Sequence, residues 1–257
     1  MVYYFTGTGN SRYVAKALSN LFSSELKFIP ETDPKTQTYN KDKVIFVFPV
    51  YSWGVPPLVL KFVSELPDSY WTGIKLNQES VWCVMTCGDE VALAPEMIER
   101  ILKEKGFEDI GCFSVIMPNN YVLLPGFDVD PAGLEKEKLE KVPKRILEIT
   151  EKINSNSLIT DVTRGKYRWL KSKIVYPLFK KWGINTTKWH YTEACISCGK
   201  CAKACPLKNV TMKEGHPVWD TRCCSCLACY HICPSHAVAY GKETVKKGQY
   251  WFPDLSK

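Results

Sequence analysis

Nine of the twelve cysteines fall between Cys195 and Cys233. Their spacing repeats: Cys195-x2-Cys198-x2-Cys201-x3-Cys205-Pro206 recurs as Cys223-x2-Cys226-x2-Cys229-x3-Cys233-Pro234. Thiolates are soft ligands for iron–sulfur clusters and zinc. Clustered in this way, with no basic-then-apolar leader ahead of them, they point to metal rather than to a disulfide framework. Three thiolates on one short loop can cap three irons of a cubane, and a fourth ahead of proline ligates the neighbouring cluster. That rule groups Cys195, Cys198 and Cys201 with Cys233, and Cys223, Cys226 and Cys229 with Cys205. Zinc is the competing metal, but its sites usually pair two Cys-x2-Cys knuckles, which a run of three thiolates plus Cys-Pro does not suit. CPLKNV and CPSHAV hold matching places in the two halves, as an internal repeat requires. Cys224 then falls outside the ligand pattern as a free thiol beside a cluster. Cys83 and Cys112 read as small buried hydrophobes.

A second constellation lies at the start, MVYYFTGTGNS. Thr6, Gly7, Thr8, Gly9, Asn10 and Ser11 combine two glycines with four side-chain hydrogen-bonding groups. The amino end of a helix offers unpaired N–H groups and a partial positive charge, which suits an anion. The third glycine of a dinucleotide fingerprint is missing, since position 12 is Arg12, and the lysine of a P-loop is absent. What remains is a loop suited to a terminal phosphate held through neutral hydrogen bonds, or a glycine-rich turn capping a helix.

These residues need elements to position them. Strand-like runs are Val2 to Phe5, Leu26 to Ile29, KVIFVFPVY from Lys43, SVWCVMTCG from Ser80 and Cys112 to Met117. Between them lie helical patterns: Ser11 to Phe22, a segment opened by Pro56 and Pro57, and Pro95 to Lys105. A last helix carries Leu139, Val142, Ile146, Ile149 and Ile153, with Asp130 expected at its cap and a kink at Pro143. Strands alternating with helices predict an α/β fold, a doubly wound parallel sheet of five strands. Ligands bind such sheets beyond the carboxyl ends of the strands, at the switch point of strand order. The glycine loop sits at such an end.

The motif T-x-T-G-x-S directly after the first strand resembles the FMN-phosphate loop of flavodoxins, and the likeness covers residues 1–153. It implies FMN as cofactor, with the loops after the third and fourth strands on either side of the flavin. Those loops supply Pro49, Val50, Tyr51, Ser52, Trp53 and Gly54, and Thr86, Cys87, Gly88 and Asp89. Tyr51 and Trp53 are the candidate stacking aromatics. Asn119, Asn120 and Tyr121 could reach the ring edge. Residues 191–240 resemble two-cluster ferredoxins, implying two [4Fe-4S] clusters in a smaller α+β domain. The whole chain resembles flavodoxin–ferredoxin fusions of anaerobes, which implies electron transfer between FMN, clusters and redox partner proteins. An FMN-dependent oxidoreductase passing electrons to a small-molecule acceptor is the alternative. No paired carboxylate or Ser/His/Asp arrangement calls for a catalytic residue.

Charge divides the chain. The first 160 residues sum to −4 and the rest to +11, giving +7 overall. Opposite signs suggest two domains, 1–153 and 191–257 with a terminal tail, joined by a linker at 154–190. Thr163 to Tyr191 holds eight basic residues, no acidic ones and many aromatics. Basic residues among aromatics suit nucleic acid or an anionic membrane surface; the expectation is instead a bridging helix that packs its aromatics on both domains and leaves its lysines in water, with no nucleic acid as partner. No apolar run is long enough for a membrane span, and a cytoplasmic location is expected.

Overall fold

A computed structural model describes residues 1–40 and 43–253; the end of the expected tail, residues 254–257, lies outside the described residues. The amino-terminal part is a parallel sheet of β1 (Val2–Tyr4), β2 (Leu26–Phe28), β3 (Val44–Pro49), β4 (Val81–Cys87), β5 (Ile110–Ile116) and β6 (Thr160–Asp161). The order is β2-β1-β3-β4-β5-β6, so the chain reverses direction across the sheet between β1 and β3. Side chains alternate between faces, as strand geometry demands. Tyr3, Phe46, Phe48, Cys83, Met85 and Cys112 pack under α2 (Pro57–Glu65), α3 (Asp68–Leu76) and α4 (Ala94–Glu104). Val2, Ile45, Val47, Trp82, Val84 and Phe113 pack under α1 (Asn10–Leu21) and α5 (Ala132–Asn154).

Three features differ from expectation. The sheet has six strands, not five. The sixth pairs Thr160 and Asp161 with Cys112 and Phe113, drawing residues expected in the linker into the sheet. So short a polar strand has no periodicity to read. Arg145 holds it, bonding the Asp161 carboxylate and carbonyl at 2.9 Å each. Helix α3 has no clean apolar period and carries Gly73, yet it buries Tyr70, Trp71 and Ile74. Asp130 does not cap α5, which has Pro131 at its cap and no capping side chain. Instead Asp130 accepts from the Asn119 N–H at 3.0 Å and Nδ2 at 3.1 Å, and pairs with Lys138 at 2.6 Å. Pro143 lies inside α5, as expected.

From Arg168 to Gly183 the chain is one helix in which α-helical turns, Arg168–Leu170 and Tyr176–Leu178, alternate with π-helical turns, Lys171–Val175 and Phe179–Gly183. The small carboxy-terminal domain follows. It pairs β7 (Trp189–Tyr191) with β10 (Val238–Tyr240), and β8 (Val210–Lys213) with β9 (His216–Trp219), both antiparallel. The sequence repeat is also a backbone repeat. Ser197, Gly199 and Lys208 have positive φ, and so do Ser225, Leu227 and His236 at the matching places. Among the described residues no helix is long and apolar enough to cross a membrane.

Candidate cofactor cleft and cysteine cavities

The glycine loop bridges β1 and α1, whose first turn starts from Gly9 at φ 106°. Only glycine adopts that conformation without cost. A cleft of about 700 Å³, its open mouth included, lies over this loop and is lined by Thr6, Gly7, Thr8, Asn10 and Ser11. The second loop adds Pro49, Val50, Tyr51 and Ser52, and the third Thr86, Cys87 and Gly88. Asn119, Asn120 and Tyr121 close one side.

Hydrogen bonds tie the loops together. Ser11 Oγ and Thr86 Oγ1 are 2.7 Å apart, Asn120 Nδ2 donates to Thr8 Oγ1 at 2.7 Å, and Asn10 Nδ2 donates to the Pro118 carbonyl at 3.0 Å. The Tyr51 hydroxyl is buried and has no hydrogen-bond partner among the described residues. Burial, reinforced by the sulfurs of Cys226, Cys224 and Cys223, pushes it well above the usual phenol range, so it stays a neutral donor. Burial also raises the Cys87 thiol, with Asp89 adding to the effect, and holds it neutral.

Trp53, Gly54, Asp89 and Gly9 are not brought into the cleft lining. Trp53, expected as a stacking aromatic, is thus held outside the lining. Ser52 and Trp53 both have positive φ, at 44° and 63°, in a tight turn closed by reciprocal bonds between Tyr51 and Gly54. The Trp53 ring instead carries Lys171 of the bridging helix over its face, 5.1 Å from the centroid. Its carbonyl accepts from Ser172 Oγ at 2.7 Å. Asp89 faces Lys138 at 3.5 Å and is largely exposed.

The cysteines surround two further cavities. Cys195, Cys198, Cys201 and Cys233 line one. Cys205, Cys223, Cys226 and Cys229 line the other, together with Cys224, Trp189 and Trp219. Both are small, with enclosed volumes of about 10 and 20 Å³. Among the described residues no three His, Cys, Asp or Glu side chains converge as one bare ion would require. Burial pushes the Cys223 thiol up to about 11 and raises Cys229 well above the usual thiol range, and a bound cation would favour the thiolate form of both.

Several cleft residues carry no signal in the first half of the sequence. Ser225, Cys226 and Leu227 of the second cysteine loop line the cleft, as does Phe179 of the bridging helix. Gly7 lies against this loop so closely that a Cβ there would stand 2.1 Å from the Cys226 carbonyl oxygen. Leu227 holds φ 62° where the other half uses Gly199, a strained conformation for a branched side chain. The tail returns to clamp the glycine loop. Phe252 N–H donates to the Thr8 carbonyl at 2.8 Å, the Phe252 ring stacks on Tyr13 at 4.6 Å, and Tyr250 Oη donates to Asn10 Oδ1 at 2.6 Å. His231 joins the same seam. Its Nε2 faces the Asn120 carbonyl at 2.7 Å and its Nδ1 accepts from Tyr250 N–H at 3.1 Å. Burial lowers its pKa to about 4, so the ring is neutral and both nitrogens are satisfied.

Residues 185–238 match the family model for a 4Fe-4S dicluster domain. A ferredoxin of Pyrobaculum islandicum is 32% identical over 68 residues, which cover 23% of this chain and 63% of that ferredoxin. The chain thus spans less than two thirds of the relative it matches. The carboxy-terminal part is a 4Fe-4S ferredoxin-type domain.

Proposed function

We propose that the chain is an electron-transfer protein in which the cleft over the glycine loop takes FMN and the two cysteine cavities take two [4Fe-4S] clusters. In this reading residues 1–153, extended by β6, form a flavodoxin-like domain, and residues 191–257 the cluster domain. The observation that carries it is the placement of Cys226. This cysteine belongs to the second ligand set by its spacing, and it lines both the cysteine cavity and the cleft.

The donor sets fit the groups. Thr6, Thr8, Asn10 and Ser11 at the start of α1 offer neutral hydrogen bonds to a terminal phosphate. Tyr51 supplies an aromatic ring and an unsatisfied hydroxyl. Four thiols around each cavity suit a cubane, whereas zinc would need its sulfurs about 2.3 Å from one centre. Cubanes move one electron at a time and FMN one or two, so together they link one-electron carriers to two-electron chemistry. The chain's own residues bring the two sites together: Gly7 allows the loop of Cys226 to approach, and Phe252, Tyr250 and His231 hold it there.

The cubane of Cys205, Cys223, Cys226 and Cys229 is then the one that faces the flavin. That of Cys195, Cys198, Cys201 and Cys233 is the outer one, with Cys198 exposed toward redox partners. Phe179, Tyr121 and Leu227 wall the cleft; an FMN-dependent reductase of a small molecule is the second reading.

The test is anaerobic rapid mixing of flavin- and iron-loaded protein with a reductant that enters through the clusters. Flavin reduction should follow at a rate independent of protein concentration. A rate rising in proportion to concentration, or purified protein carrying no flavin, would overturn the reading.

A further inference from the structure

The bridging helix turns most of its apolar side chains to solvent. Ser172 and Tyr176 are buried, Tyr176 donating to the Val55 carbonyl, and Lys171 pairs with Glu90. Those contacts fix one side of the helix to the parallel-sheet domain. Leu170, Ile174, Leu178 and Trp182 are exposed on the remaining surface, Trp182 at 59%. Tyr167 and Trp169 beside them are 76% and 63% exposed. Of the linker aromatics, Tyr176, Phe179 and Trp189 pack on the two domains as expected, whereas Tyr167, Trp169 and Trp182 do not.

The spacing has a physical cause. An α-helix repeats every 3.6 residues, so positions four apart drift around its axis. Wider π-helical turns lengthen the repeat. Alternating the two keeps 170, 174, 178 and 182 in one stripe, as the shared exposure of those residues reflects. Lys166, Arg168, Lys173, Lys180 and Lys181 are exposed along it, and no acidic residue occurs between Thr163 and Tyr191.

We infer that this helix is an interfacial anchor that lays its apolar stripe into the surface of a membrane rich in anionic lipid. Basic residues beside tryptophan, tyrosine and leucine are the composition of helices that lie in the headgroup plane. Long lysine side chains can extend from the buried stripe to the phosphates. A second copy of the chain is a poor occupant, because pairing two such helices would bring two sets of uncompensated positive charge together. A protein partner would need a groove shaped to this convex ridge and acidic groups placed for each lysine, whereas a fluid anionic interface adapts to both. Attachment here would set the cluster domain and cleft beside the membrane, where lipid-borne redox partners lie.

The test is sedimentation of the intact, cofactor-loaded chain with vesicles of phosphatidylcholine alone or with about a third phosphatidylglycerol. Binding should require the anionic lipid and weaken as salt shortens the screening length. Two variants separate the contributions. Neutralising Lys166, Lys173 and Lys181 together, each to Gln, should lower partitioning about 100-fold, at about one kcal/mol per charge. Replacing Leu170, Leu178 and Trp182 together with Ser should lower it at least about tenfold at unchanged charge. Iron and flavin content should stay at the parent level in both, since all six side chains are exposed. Parent protein that ignores anionic vesicles would overturn the inference and leave the ridge to an acidic protein partner. Binding that survives loss of the apolar stripe would also overturn it, reducing the effect to charge alone.

Discussion

Replacing Gly7 with alanine tests the seam between the two domains. The added methyl would stand 2.1 Å from the Cys226 carbonyl oxygen, 3.0 Å from its carbonyl carbon and 3.2 Å from its Cβ. Ordinary contact needs about 3.5–4.0 Å, so at least one ångström of separation must open. Both sides are backbone, and neither can swing a flexible side chain away. Overpacking of this kind costs about 1–3 kcal/mol. For a chain of this size the melting temperature should fall by roughly 2–4 °C per kcal/mol. Gly133, in the first turn of α5, is the control: a Cβ there meets nothing within 4 Å. Gly133→Ala should be neutral or stabilising by up to about 1 kcal/mol, because glycine is the poorer helix former. Differential scanning calorimetry compares the two, and rapid mixing compares their internal electron-transfer rates. Gly7→Ala should melt lower and slow the transfer while keeping its iron. If it matches Gly133→Ala in both, the second cysteine loop does not rest on Gly7, and the route through Cys226 fails with it.

Further outcomes follow from the same geometry. Cys205→Ser should remove or perturb the cluster assigned to Cys223, Cys226 and Cys229, leaving the other set loaded. Iron analysis against an expected eight per chain, with electron paramagnetic resonance of the reduced protein, reads this directly; two irons in the parent would refute the assignment. Thr8→Ala and Ser11→Ala should each weaken FMN by about 1–2 kcal/mol but leave riboflavin little changed, since only FMN carries the phosphate. Titration with both flavins decides, and equal losses would move the loop's role elsewhere. Asp130 supplies a pH dependence. Burial alone would raise its pKa, but the bonds from Lys138 and Asn119 outweigh that and hold it below 3.8. A carboxylate depressed on folding contributes stability that is present above its unfolded pKa and is lost as pH falls through its folded value. Asp130→Asn should therefore destabilise the protein by about 1–3 kcal/mol at neutral pH. The parent's advantage should shrink in denaturant melts as pH drops below 3.8. An advantage that grows in acid would contradict the assignment.

The parallel sheet and the cysteine grouping are both legible in short stretches of chain. Runs such as VIFVFP in β3 and VWCVMTC in β4 are apolar on both faces, because helices cover both sides of this sheet. Cys-x2-Cys-x2-Cys places three thiols on one loop through backbone geometry alone, and the repeat of φ signs shows how local that geometry is. The glycine loop follows from chemistry too, since Gly9 must take a left-handed conformation to start α1. These features depend on residues within a few positions of one another.

What only the tertiary structure decided depends on residues distant in the chain. Tyr51 rather than Trp53 enters the cleft because Ser52 and Trp53 both take left-handed conformations, and the bridging helix offers Lys171 and Ser172 to the turn. Phe179 and Leu227 line the cleft, and Cys226, Tyr250 and Phe252 meet the glycine loop, from more than 120 positions away, and no periodicity carries that distance. Strand β6 is invisible in two polar residues and exists because Arg145 and Lys152 of α5 hold Asp161. The outward face of the bridging helix was hidden for a related reason: its π-helical turns change the very period by which a sequence is read. Local chemistry thus set which atoms could hold phosphate and iron, and long-range packing set which of them meet.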